Sequence, residues 1–111
     1  MSESQLTFFC QPNLQAAAAW LEDLLDTHKC WLTAAEILDF LGCDDTDTNK
    51  RSLRLVAATS RWIITGQKGY KHLKHADLEE IHHFCAWMES QAKQMADRAA
   101  AVRQNAHKIF G

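Results

Sequence analysis

From Asp77 to Phe110 the chain runs without a single glycine or proline, a length of backbone that only an uninterrupted helix accommodates in a small protein. Asp77 and Glu80 stand three apart at its start, the spacing of a capping box. Glu79 and Glu80 near the beginning and Arg103 and Lys108 near the end match the polarity of the helix dipole. The expected element is one helix of about 33 residues, about 50 Å long. Its apolar positions, Ile81, Cys85, Met88, Ala92, Met95, Ala99, Val102, Ala106 and Ile109, advance by alternating steps of four and three, the pattern of a coiled-coil seam. A chain of 111 residues has room for one modest core, and such a core does not cover a stripe this long. The expected occupant is a second copy of the chain, giving a homodimer through residues 77–111; the periodicity fits parallel and antiparallel pairing equally.

The preceding 76 residues carry shorter patterns, which predict helices over about 14–28, 33–42 and 49–61 and a hairpin over 62–74. After Pro12-Asn13, a candidate cap, Leu14, Ala17, Ala18, Leu21, Leu24 and Leu25 share one helix face. Thr33 and Glu36 form another capping-box pair, opening a helix with Ile37, Leu38, Phe40 and Leu41 that stops at Gly42, a residue suited to the left-handed position past a helix end. Thr48 or Asn49 is the candidate cap of the third helix, in which Leu53, Val56, Ala57 and Ser60 point inward while Arg51, Arg54, Ala58 and Arg61 share the outer stripe. Trp62-Ile63-Ile64-Thr65 then reads as a strand, Gly66-Gln67-Lys68-Gly69 as a turn and Tyr70-Lys71-His72-Leu73 as the return strand. The fold class expected is therefore mainly α, with three helices, a β-hairpin and a long C-terminal helix.

Charge is distributed unevenly. The formal net charge is only -2, yet between Thr48 and Ala76 there are seven basic residues, Lys50, Arg51, Arg54, Arg61, Lys68, Lys71 and Lys74, and no acid. All fourteen acidic residues lie outside that window, with only five basic ones. Such segregation is the footprint of a surface for a polyanion. No apolar run reaches the roughly 18 residues of a membrane span, and Met1-Ser2-Glu3-Ser4-Gln5 carries no positive leader region, so a cytoplasmic protein without a membrane partner is expected. Cys10, Cys30, Cys43 and Cys85 are scattered, which reads as reduced thiols, mostly buried, and not as a disulfide scaffold.

In order of elements, residues from about Leu14 to Leu73 resemble the winged helix-turn-helix superfamily of DNA-binding proteins. The phrase Ile64-Thr65-Gly66-Gln67-Lys68-Gly69-Tyr70-Lys71, with Glu79-Glu80-Ile81 and Glu89-Ser90-Gln91-Ala92-Lys93, is also similar to small uncharacterised phage and prophage proteins. The first resemblance implies that the third helix enters the major groove of double-stranded DNA while the hairpin, the wing, touches the backbone or minor groove. The second implies a phage-like origin. In that arrangement Lys50, Lys68, Lys71 and Lys74 suit phosphates, whose neutralisation releases condensed counterions. Arg51 and Arg54 can present the donor fork that bridges guanine O6 and N7, with Asn49 and Ser52 as helpers and Ala58 allowing close approach. Arg61 either joins them or caps the helix end, Gln67 reaches a sugar or phosphate from the wing tip, and Tyr70 packs the wing. The expected function is a dimeric, sequence-specific or semi-specific DNA-binding protein, a transcriptional regulator or a replication or recombination accessory.

Two other readings stand beside it. His72, His75, His82, His83 and Cys85 crowd around the end of the wing, and His82 and Cys85 are spaced to share a helix face and bind zinc, which suits a metal-responsive regulator; against that, Cys85 falls on the apolar seam, where a thiol needs no metal. A winged helix also serves as a protein-protein adaptor. Catalysis is not expected: the chain has no Gly-rich phosphate loop, no nucleophile elbow and no HExxH, and Asp44, Asp45 and Asp47 lack the later ligands of a calcium loop. No cofactor is called for.

Overall fold

The computed structural model describes residues 14–111. They form α1 (Leu14–His28), α2 (Ala34–Phe40), α3 (Asp47–Ala58), β1 (Ile63–Gly66), β2 (Gly69–His72), a single 3-10 turn at Leu73–His75, and α4 (Leu78–Phe110). The chain is mainly helical with one two-stranded antiparallel hairpin. It divides into two compact units, one ending at Asp77 and the other comprising Leu78–Gly111.

In α1 the expected apolar face forms: Ala17, Ala18, Leu21 and Leu25 are buried and Leu24 packs against the core, while Leu14, at the helix start, stays half exposed. The cap expected at Pro12-Asn13 lies outside the described residues. Lys29 follows the helix in the left-handed conformation, φ 58°, and its N–H donates to the Leu25 carbonyl at 3.1 Å. The α2 capping box forms in both directions: Thr33 N–H donates to Glu36 Oε1 at 3.0 Å and Glu36 N–H donates to Thr33 Oγ1 at 3.1 Å. At its other end Gly42 takes φ 69°, and the N–H groups of Gly42 and Cys43 donate back to Asp39 and Leu38 at 3.0 and 2.8 Å. This Schellman closure consumes residues 41–43, so the helix body is shorter than the expected 33–42.

For α3 the expected boundaries need correction at both ends. Neither Thr48 nor Asn49 is the cap; Thr46 is, because its hydroxyl accepts the Asn49 N–H at 3.1 Å. The helix also stops at Ala58 and does not reach Arg61. Thr59 and Ser60 N–H groups tighten onto Val56 and Ala57 at 3.1 Å each, and the Thr59 hydroxyl donates to the Val56 carbonyl at 2.8 Å, satisfying the helix end three residues early. Inward, Leu53, Val56 and Ala57 are buried as the periodicity predicts, whereas Ser60 is only half-buried.

The hairpin pairs Ile63 with His72, Ile64 with Lys71, Thr65 with Tyr70 and Gly66 with Gly69 around a two-residue turn, Gln67-Lys68. Leu32 joins it through an antiparallel bridge to Tyr70, the two backbones exchanging hydrogen bonds of 2.9 and 2.8 Å. That contact makes glycine obligatory at 69: its φ is +116°, and a Cβ there would lie 2.1 Å from the Leu32 carbonyl oxygen. Ile63 and Tyr70 point into the core shared by α1, α2 and α3; alternation along the strands sends Ile64 and Lys71 to the opposite face. Ile37, Leu38, Leu53, Leu21 and Leu25, the largest fully enclosed side chains, come from all three helices and lock the helices to one another.

Cysteine burial differs from expectation. Cys43 is enclosed, and burial, then the nearby Asp44, pushes its thiol pKa up. Cys30 and Cys85 are exposed free thiols, because Cys30 sits in the link after α1 and Cys85 on the α4 stripe, which no side chain of a single chain encloses. Cys10 lies outside the described residues.

Candidate nucleic-acid interface

Because Asn49, Leu53, Val56 and Ala57 face inward, the helical period of α3 turns Arg51, Leu55 and Ala58 outward, with Arg54 beside them. Arg51 and Arg54 are exposed, and neither makes an ion pair among the described residues. Leu55, in the middle of this face, is 57% exposed. Sequence reasoning passed over it, although the inward set alone leaves no other direction for position 55.

Two expected helpers have local structural duties. Asn49 is 7% exposed, and its Nδ2 donates to the Asp44 carbonyl at 2.8 Å, holding the turn ahead of α3; this enclosed amide is not presented to a base edge. Ser52 is half-buried and its hydroxyl donates to the Thr48 carbonyl at 3.1 Å, the back-bond habitual for serine inside a helix.

The cations divide by their partners. Lys50 Nζ lies 3.2 Å from Asp45 and Lys74 Nζ 3.4 Å from Asp26, so both already have a carboxylate at hand. Lys71 lies with its ammonium 5.5 Å from the centre of the Trp31 ring. Arg61 is exposed between α3 and β1, and Gln67 and Lys68 are exposed at the hairpin tip. Arg61 and Lys68, like the two α3 arginines, have no carboxylate partner among the described residues. Helix and hairpin come together at Tyr70: burial raises its phenol pKa, and the positive charge of Arg54 opposes the rise. Leu53 and Val56 of α3 lie in one core with Tyr70, so the arginine helix packs in one unit with the strand that carries Lys71.

A second cluster anchors the chain after the hairpin. His75 Nε2 lies 2.6 Å from Asp26 Oδ1 and 3.1 Å from the Asp26 carbonyl, and this hydrogen bond, reinforced by Lys74, holds the Asp26 carboxyl pKa below its usual range. His72 Nδ1 accepts the Lys74 N–H at 3.0 Å while its ring stacks on Trp62 at 6.2 Å. Asp26 and His75 are 49 residues apart, a pairing no local spacing announces. Among the described residues no three His, Cys, Asp or Glu side chains converge as metal ligands would, and no helix is long and apolar enough to cross a membrane. The chain matches no family model, no curated protein and no solved structure.

Proposed function

We propose that residues 14–77 are a winged helix-turn-helix module that binds duplex DNA, and that the chain acts as a homodimer through α4. In this reading α3 lies in the major groove with Arg51 and Arg54 at base edges and Leu55 against a thymine methyl. Lys68, Lys71 and Arg61 meet phosphates, and Gln67 contacts the backbone from the hairpin tip. The supporting observation is that α3 and the hairpin share one core through Leu53, Val56, Ile63 and Tyr70, while Arg51, Arg54, Arg61 and Lys68 of the same acid-free segment are all exposed. Lys50 and Lys74 contribute less, since DNA must compete with Asp45 and Asp26 for them. The dimer is supported by the exposure of Met88, Met95, Val102 and Ile109 along α4.

The test is titration of random duplex DNA across salt concentrations. With about three to five phosphates neutralised, the logarithm of the association constant should fall with the logarithm of salt at a slope of about -3 to -4.5. Absence of binding near about 50 mM salt removes the DNA reading.

One observation favours a second reading. Leu55 and Trp62, 57% and 56% exposed, place large apolar groups among the cations, as suits an adaptor that docks an acidic protein surface. A loss of partner capture on Leu55→Ser with DNA affinity unchanged would select this reading.

A further inference from the structure

The α4 helix carries three independent patterns that bear on how two copies meet. Its d-type positions, Ile81, Met88, Met95, Val102 and Ile109, are all large, and all but the half-buried Ile81 are exposed, Met95 at 71% and Ile109 at 74%. Its a-type positions after Leu78 are all small: Cys85, Ala92, Ala99 and Ala106. The flanking positions carry Glu89 and Arg103 on the e side and Arg98 on the g side. Along the helix, Glu79, Glu80 and Glu89 occupy the first half with one base, Lys93, whereas Arg98, Arg103 and Lys108 occupy the second with one acid, Asp97.

Resting on the dimer reading above, we infer that α4 binds a second copy of this chain antiparallel, with the two-fold axis passing between Lys93 and Gln94. Parallel pairing in register stacks like on like: Met95 against Met95 holds the helices apart and leaves a void at each alanine layer. Antiparallel pairing on that axis sets large against small throughout the middle. Ile81 faces the partner's Ala106, Met88 faces the partner's Ala99 and Met95 faces the partner's Ala92. Leu78 faces the partner's Ile109 at each end, so the whole stripe is used.

Charge leads to the same orientation. In a parallel pair a g residue meets the e residue of the partner's next heptad, which sets Arg98 against the partner's Arg103 twice. In the antiparallel pair e meets e: Glu89 reaches the partner's Arg103 twice, and Arg98 lies beside the partner's Gln91. The acidic first half of each helix then runs along the basic second half of the other, and the helix dipoles oppose. The two attachment points of the N-terminal units, at Leu78, fall about 45 Å apart along the rod.

The discriminating experiment measures the dimer dissociation constant of the full chain by sedimentation equilibrium for the wild type, Arg103→Glu and the double variant Glu89→Arg/Arg103→Glu. Antiparallel pairing predicts about 10-fold weaker association for Arg103→Glu, because two ion pairs become like-charge contacts, and return to within about 3-fold of wild type for the double variant. A wild-type chain that stays monomeric overturns the dimer itself. A wild-type dimer that Arg103→Glu tightens, as relief of the Arg98 contact in a parallel pair requires, or leaves unchanged, overturns the orientation while the dimer stands.

Discussion

At single positions, chemically similar residues divide into those that hold the fold and those that are presented. Asn49 and Arg51 are two residues apart, both polar, both on α3. The helix turns the first inward to bond Asp44 and the second out to solvent. Asn49→Ala should therefore lower stability by about 1–3 kcal/mol, the usual consequence of stranding a buried polar partner, while leaving the salt slope of DNA binding unchanged; chemical denaturation and the salt titration check the two halves. Arg51→Ala should do the reverse, with unaltered unfolding and a loss of about 1–3 kcal/mol in discrimination between sites, read by competition among selected duplexes. Gly69→Ala faces both a positive φ and the Leu32 oxygen. It should destabilise by about 3 kcal/mol or more; a midpoint of unfolding equal to wild type would remove the claim that the Leu32–Tyr70 bridge requires glycine.

For whole elements, capping and ion pairing make the N-terminal unit sensitive to acid. The Glu36 carboxyl pKa lies below its ordinary value because the Thr33 N–H, and then the Thr33 hydroxyl, hydrogen-bond to it; that of Asp26 is lowered chiefly by its hydrogen bond to His75. Groups with depressed native pKa values contribute stability that is complete above their unfolded-state pKa and is lost as pH falls through the native value. Stability should thus hold from neutrality down to roughly pH 5 and decline below roughly pH 4. Thermal melts across pH should show a shallower decline in Asp26→Asn/Glu36→Gln than in wild type. The helix caps were legible from residue spacing where side chain and backbone close a ring within three residues, as at Thr33 and Glu36. The start of α3 was not, since Thr46, Thr48 and Asn49 all have capping side chains and only the path of the turn after Gly42 selects Thr46.

As a whole molecule, the protein has two compact units with different demands: the first encloses its own core, whereas α4 encloses no side chain at all. Met88→Lys/Met95→Lys should give a monomer by light scattering with the unfolding transition of the N-terminal unit retained. Binding to a paired site should then weaken by about 100-fold or more, since the second contact no longer benefits from tethering. An unchanged mass would remove the α4 dimer.

The sequence by itself determined the local and periodic features: the uninterrupted helix ending at Phe110, the Thr33–Glu36 box, the Gly42 stop, the hairpin turn and the acid-free basic window. Each is a matter of spacing or composition along the chain, so it can be read without knowing which distant residues meet. Tertiary structure decided what depends on distant neighbours. It enclosed Asn49, paired Lys74 with Asp26 and left Cys85 exposed. It also joined Leu32 to Tyr70 and Asp26 to His75. Accordingly, the basic window was readable as a chemical bias, but which of its cations stand without a carboxylate partner was not, because a partner such as Asp26, 48 residues from Lys74, is brought up only by the packing of the chain.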